Sequence, residues 1–389
     1  MVFMCSAAHA QTQVQSDDFS GTTASQAWQV YGGACLTAGS GLGTIPACAT
    51  NTQGGLNGNT PDTAGNGALR LTQAIGGTPS GGVISLNSFP SSAGFSATFS
   101  AVSYGGNGAD GISFFLLDAS QGIPAALGAP GGGLNYAGIS YGYLGVGVDE
   151  FGNFVNPGCG GGGCAGGPGF LSNAIGVRGS TANANAYIAS RQPGFSLWSN
   201  VAKRSLATSH SYTISMTSAG ILSVSIDGTA YLTNVNAFAQ TGAIPAFLRV
   251  GFAGSIGGSN NIHEIMSFKV SSLSLSNLVI SKTKTVISDP VNGTIRPVAI
   301  PGAVVRYCVQ VSNLAGSPTA TSIVVTDPIG SLPVTFVANS INLNGTSTSG
   351  NCNWNGTAGG TFASNTVTGN LANLAGGATE TLYFDVTIK

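Results

Sequence analysis

Charge is what this sequence has least of. Its 389 residues include 12 Lys or Arg and 13 Asp or Glu, 6% together, where an average soluble domain carries about 25%. A net charge of −1 supplies no electrostatic footprint for a phosphate backbone, which excludes nucleic acid as a partner. Long apolar runs are missing too. Hydrophobic residues make up 42% of the chain, enough for cores, yet no run reaches the roughly 18 residues of a membrane span. No window sustains the three-to-four spacing of a capped amphipathic helix, and this excludes a parallel sheet with crossover helices.

What is abundant is glycine, 60 residues of it, set among Ser, Thr and Asn. Between the glycines run short segments such as FSATFSAV, GISFFLLD, YTISMT and ILSVSIDG, which read as strands of an antiparallel, all-β sandwich. The Gly-rich stretches 120–138 and 157–169 read as loops of functional length. Near residues 277–279 the texture changes, and a second set of strands begins: LVISKTKTV, VVRYCVQVSN, TSIVVTDP and TLYFDVTIK. Two domains follow, 16–276 and 278–389, the second of the size of one small β-sandwich. Asn292, Asn344 and Asn355 each open an Asn-Gly-Thr triplet; tight turns are the reading preferred over glycosylation.

The first residues, MVFMCSAAHAQTQ, end a leader-like stretch in Ala8-His9-Ala10, so residues 1–10 read as the remnant of a signal peptide and the mature chain as exported. Removing them leaves six cysteines: Cys35, Cys48, Cys159, Cys164, Cys308 and Cys352. An even number in an exported chain reads as disulfides, and the division into domains favours the sequence-local pairs Cys35–Cys48, Cys159–Cys164 and Cys308–Cys352. Zinc is disfavoured, because His210 and His263, the histidines of the mature part, stand at no zinc-ligand spacing from a close Cys pair.

Four blocks then appear in a telling order. Gly108-Ala109-Asp110-Gly111 followed by ISFFLLD, Gly131-Gly132-Gly133-Leu134, LGVGVDEFGN over 144–153, and VGFAGSIGGSNNIHEIMSFKV over 250–270 resemble successive loops and strands of legume-type (L-type) lectins of bacterial kind. The resemblance covers most of 16–276 and implies a concanavalin-like jelly roll. Residues 278–389, with KTKTV, IPGAVVRYCVQVSN, VVTDP and ATETLYFDVTI, resemble an immunoglobulin-like repeat domain of bacterial surface proteins, which implies a spacer or assembly role and no chemistry.

By resemblance, Asp110 accepts two sugar hydroxyl protons, Gly132 or its neighbour Gly133 donates a backbone N–H, and the Asn153 side chain bridges. Phe151 offers the stacking face, Gly257 and Gly258 supply the last loop, and the peptide before Asp110 is cis. A neutral sugar needs such a set, because hydroxyls demand paired acceptors and donors while C–H faces want an aromatic ring. The resemblance also implies calcium, held by the Asp149 carboxylate, the Phe151 carbonyl, and the Asn153 and Asn156 side chains. Here the chain departs from the pattern: 151–177 contains no Asp or Glu, so the implied calcium is bound more weakly. A second, transition-metal site is not expected, since Gly147 and Ala174 stand where its Glu and His would be.

The resulting expectation is an extracellular or surface-displayed, non-enzymatic protein whose partners are glycans and which has scope for self-association at a cell surface. A structural subunit of a surface layer or filament is the alternative. A jelly-roll glycosidase is third, because such enzymes place two carboxylates about 5–5.5 Å apart on one strand face. Asp149 and Glu150 are adjacent and point to opposite faces, and no Glu-x-Asp-x-Glu run exists. His263 reads as a structural back-sheet histidine.

Overall fold

In the computed structural model the described residues are 4–8, 10–75, 80–274, 276–315, 317, 319–348 and 351–389. They form two compact units, one of residues 12–273 and one of 274–389 joined by the first eleven residues. All named strand pairings are antiparallel, as the alternating segments predict.

The larger unit is a sandwich. Its front sheet runs Tyr187–Arg191, Ala174–Arg178, Gly142–Asp149, Gly111–Asp118, Phe247–Ser255, Gly81–Ser85, Trp28–Gly32. Its back sheet runs Thr229–Asn236, Ile221–Ile226, His210–Thr217, Gly94–Tyr104, Ile262–Ser274, Leu69–Thr72, Cys35–Leu36. Alternation does the sorting on the back sheet: Tyr212, Ile214 and Met216 point inward with Phe95, Ala97 and Phe99 opposite them, and the Ser and Thr between face outward. The Phe99 ring lies at 5.0 Å from Tyr212 and 5.3 Å from Phe252, which locks the two sheets together at the centre of the core.

The front sheet departs from the half-buried pattern. Gly111–Asp118 is buried on both faces nearly along its whole length. Ile112, Phe114 and Leu116 enter the main core, while Phe115 and Leu117 join a second cluster with Leu134, Tyr136, Phe154 and Val155 from the Gly-rich loops. The loops therefore fold down onto the sheet. Glycine makes room for them: a Cβ at Gly145 would stand 2.2 Å from the Tyr136 ring, and one at Gly147 would stand 2.4 Å from Phe154. The alternation in LGVGVD thus places Val146 and Val148 in the core and leaves a bare outer face on which two aromatic rings lie.

The smaller unit is also a two-sheet sandwich. One sheet holds Leu278–Ser288, Val304–Asn313, Thr379–Ile388, Asn342–Gly345 and Thr357–Ala358; the other holds Met4–Ala8, Thr321–Pro328, Thr366–Leu371 and Thr361–Ala363. Part of the expected leader is therefore a strand here, with Met4–Ala8 antiparallel to Thr321–Pro328; residues 1–3 and 9 of that leader lie outside the described residues. All three sequence-local disulfides form, with Cα separations of 4.9 Å for Cys35–Cys48, 5.5 Å for Cys159–Cys164 and 5.9 Å for Cys308–Cys352, within the range the bond allows.

Candidate functional site

Asp110 enters the front sheet just ahead of Gly111–Asp118. Its N–H donates to the Ser255 carbonyl at 2.9 Å, and its own carbonyl accepts from Glu150 N at 3.0 Å and Phe151 N at 3.2 Å. The Ala109–Asp110 peptide is cis. Main-chain bonds thus clamp Asp110 between the strand end at Ser255 and the loop that starts at Glu150. The side chain is 6% exposed, and Oδ2 has no hydrogen-bond partner among the described residues. A Cβ added at Gly257 would stand 3.3 Å from that oxygen. Burial pushes the Asp110 carboxyl up from its ordinary range, with His263 pulling it down and Glu150 pushing it up.

The other expected sugar residues gather around this carboxylate. Ser255 links them: its hydroxyl accepts the Gly131 N–H at 2.6 Å, which holds the glycine turn Gly131–Gly133 against the Asp110 strand. Gly132 lies against Asn153 so closely that a Cβ there would be 2.4 Å from the Asn153 Cβ. Phe151 is 38% exposed and meets Phe170, itself 58% exposed, edge to face at 5.5 Å. Gly258 sits exposed next to Gly257 with open space beyond it. Gly133 is buried and faces inward toward Ala129 and Ala137, away from the opening.

The acidic neighbours of Asp110 are engaged elsewhere. Asp149 is fully buried, its Oδ1 accepting from Gly152 N and its Oδ2 from Phe154 N, both at 2.7 Å. Burial pushes its carboxyl up to about 7, although those two amides pull it back. Glu150, pointing the other way, accepts from the Asn261 side chain and meets His263 Nε2 at 3.1 Å; His263 Nδ1 is 2.6 Å from Thr72 Oγ1. His263 is a fully buried, hydrogen-bonded residue of the back-sheet strand Ile262–Ser274. A two-carboxylate hydrolytic pair needs both groups open to the substrate. Here Asp110, Asp149 and Glu150 are all buried, and Asp149 and Glu150 are engaged in hydrogen bonds besides.

Of the expected metal ligands, Asp149, Phe151 and Asn153 share one turn. Asn156 follows, its N–H donating to the Asn153 carbonyl at 3.1 Å. Among the described residues no cluster of three or more His, Cys, Asp or Glu is placed to hold a metal. The ligands expected for calcium therefore include a single carboxylate, that of Asp149. An ionised carboxylate offers about four acceptor positions, two of which the amides occupy at Asp149, so one hard cation can be added without breaking them. Ala174 is the direct cross-strand partner of Asp149, and the Phe154 ring covers Gly147.

Three features of the site were not legible beforehand. Ser255 was only one serine in a Gly-rich block. Trp198 packs over Gly108, where a Cβ would come within 2.6 Å of the indole, and so walls the site beside Asp110. Arg178, fully buried, donates to five main-chain carbonyls: Phe154 through Nε, Ala165 and Asn185 through Nη1, Asn156 and Gly166 through Nη2. Among the described residues no carboxylate is a hydrogen-bond partner of Arg178, and burial lowers its pKa to about 10.

The chain matches no protein-family model and no curated protein. Solved structures do resemble it. The exoplasmic/lumenal domain of VIP36 in its Ca2+/Man-bound form shares 13% identity, covers 64% of this chain and 84% of its own, and has a TM-score of 0.40. Lectin I-B4 of Griffonia simplicifolia, in a metal-free form, shares 22% over 64% of this chain and 94% of its own at a TM-score of 0.40. Lectin UEA-II complexed with galactose shares 19% over 67% of this chain and 100% of its own at 0.42.

Proposed function

We propose that the larger unit binds carbohydrate, that the protein works outside the cell or on its surface, and that the smaller unit is an immunoglobulin-like spacer or assembly module. The observation that carries this reading is Asp110 Oδ2, a desolvated acceptor with no partner, set beside an exposed aromatic face and a glycine turn. A buried polar atom left unpaired is costly, and a ligand hydroxyl restores its bond. In this reading Asp110 takes sugar hydroxyl protons, Asn153 and the Gly132 N–H hold a third position, Phe151 stacks on a C–H face, and Gly257 and Gly258 close the rim. Three disulfides suit an oxidising compartment and support export.

Calcium belongs to the same proposal, held by the Asp149 carboxylate, the Phe151 carbonyl and the Asn153 and Asn156 side chains; when bound it supplies positive charge that stiffens the turn carrying Phe151 and Asn153. Because the set holds a single carboxylate, with no Asp or Glu over 151–177, the metal is held weakly. At ten times its Kd, calcium adds about 1.4 kcal/mol to the folded state, a rise on the order of 3–5 °C for a unit of this size. Differential scanning fluorimetry of chelator-stripped protein, with and without millimolar calcium, checks this; an unchanged melting temperature removes calcium from the proposal.

A glycan array probed with the full chain, with and without calcium, tests the function itself. Selective binding to a group of related neutral glycans is expected. An array with no signal in either condition overturns the carbohydrate reading and leaves the structural-subunit alternative.

A further inference from the structure

Beside the proposed sugar site stands an aromatic ring that the fold does not use. Phe170 is 58% exposed and enters no core cluster among the described residues. Its neighbour Leu171 does the anchoring, packed partly buried against the cluster of Leu134, Tyr136 and Phe154. Two main-chain bonds fix the segment further: Leu171 N donates to the Gly152 carbonyl at 3.0 Å, and Asn173 N donates to the Glu150 carbonyl at 3.1 Å. Gly152 permits this approach, since its φ is +121° and a Cβ there would stand 2.6 Å from Ser172 N. The Gln192 side-chain amide adds a bond to the Ser172 carbonyl at 2.7 Å. Phe170 is therefore a platform tied through the backbone to the same turn that carries Phe151 and Asn153.

Ring orientation decides what this platform can touch. The Phe151 and Phe170 planes stand 89° apart. A sugar ring has two broad C–H faces, and they are parallel to each other. A residue lying flat on Phe151 therefore turns only its rim toward Phe170, and a face for Phe170 has to come from a different residue. Both rings are exposed enough to offer a face to a ligand.

We propose that the site takes a bent oligosaccharide: one residue lies on Phe151 and is held by Asp110, and the next stacks on Phe170, turned steeply out of the plane of the first by the linkage between them. This rests on the carbohydrate reading of the larger unit and adds ligand size and linkage to it. Flat, ribbon-like chains are disfavoured, because their successive rings keep nearly parallel faces and cannot lie on two perpendicular platforms at once. Phe170 is in this way a specificity-determining residue. It selects by the direction in which the chain leaves the Asp110 position, whereas Asp110 selects by hydroxyl placement.

Calorimetry of the full chain tests this with glucose, galactose and mannose, and with dimers of each whose linkage is flat, as in cellobiose, or bent, as in kojibiose and isomaltose. For the sugar that binds, a bent dimer is expected to bind about two- to tenfold more tightly than the monosaccharide, the gain of one further aromatic contact, and the flat dimer is expected to gain little. In Phe170→Ala the ratio of bent-dimer to monosaccharide affinity falls to about one. The substitution removes a mostly exposed ring, so the variant folds, and its melting curve verifies that. A flat dimer that binds as tightly as the bent ones, or a ratio that survives Phe170→Ala, overturns this inference and leaves the carbohydrate reading standing. Failure of every sugar to bind the parent protein overturns both.

Discussion

Asp110→Ala is expected to reduce sugar affinity below detection in calorimetry against an array-selected glycan, while the melting temperature holds or rises slightly. The magnitudes are unequal enough to decide the outcome. A hydrogen bond to a charged group is worth about 1.5–3 kcal/mol, whereas a millimolar lectin affinity amounts to only about 4 kcal/mol altogether. Two such bonds therefore account for most of the binding. The fold loses little, since in the free protein Oδ2 is desolvated and bonded to nothing, and the main-chain bonds to Ser255, Glu150 and Phe151 do not need the side chain. A variant that binds as well as the parent places the sugar elsewhere.

Glu264→Gln is expected to cost the larger unit about 3–5 kcal/mol, the usual penalty for breaking a buried ion pair from one side. Glu264 is fully buried between two guanidiniums. Its Oε1 accepts from Arg70 Nε at 3.0 Å and Nη2 at 2.9 Å, and its Oε2 from Arg204 Nε at 2.6 Å and from the Tyr104 hydroxyl at 3.0 Å. Arg70 and Arg204 reach onward to Gln53, Asn66 and Asp62 in the loops outside the back sheet. The neutral amide leaves two cations facing each other in the interior. Against a total stability of about 5–15 kcal/mol, the loss shows plainly as a lower midpoint in a urea melt; an unchanged midpoint removes the network from the account of stability. The pH dependence has a definite sign. Burial pushes the Glu264 carboxyl up, but Arg70 and Arg204 hold it below the ordinary value, so its contribution is present above the unfolded pKa and is lost as pH falls through the folded one.

The residues show why some of this was legible in the sequence and some was not. Disulfides and strands are local signals: a cysteine five or thirteen residues from its mate, or serines alternating with apolar residues, carry their meaning within one window. GISFFLLD misled as an alternating segment because its second buried face is supplied by Leu134, Tyr136 and Phe154 from distant loops. Glu264 and Arg70 stand 194 residues apart, and nothing in either neighbourhood marks them as partners. His263 was placed correctly because its strand was assigned to the back sheet, although its bonds to Glu150 and Thr72 were not foreseen.

Arg178 bears on how this protein can change. Its five acceptors are all main-chain carbonyls, which every amino acid possesses. The guanidinium therefore holds the course of residues 154–166 without regard to most of the side chains there. A loop anchored through its backbone can exchange surface residues freely and keep its path. The rim of the proposed sugar site is in this sense an evolvable surface on a fixed frame, open to new ligand preferences by substitution at the loop while Arg178 stays as it is.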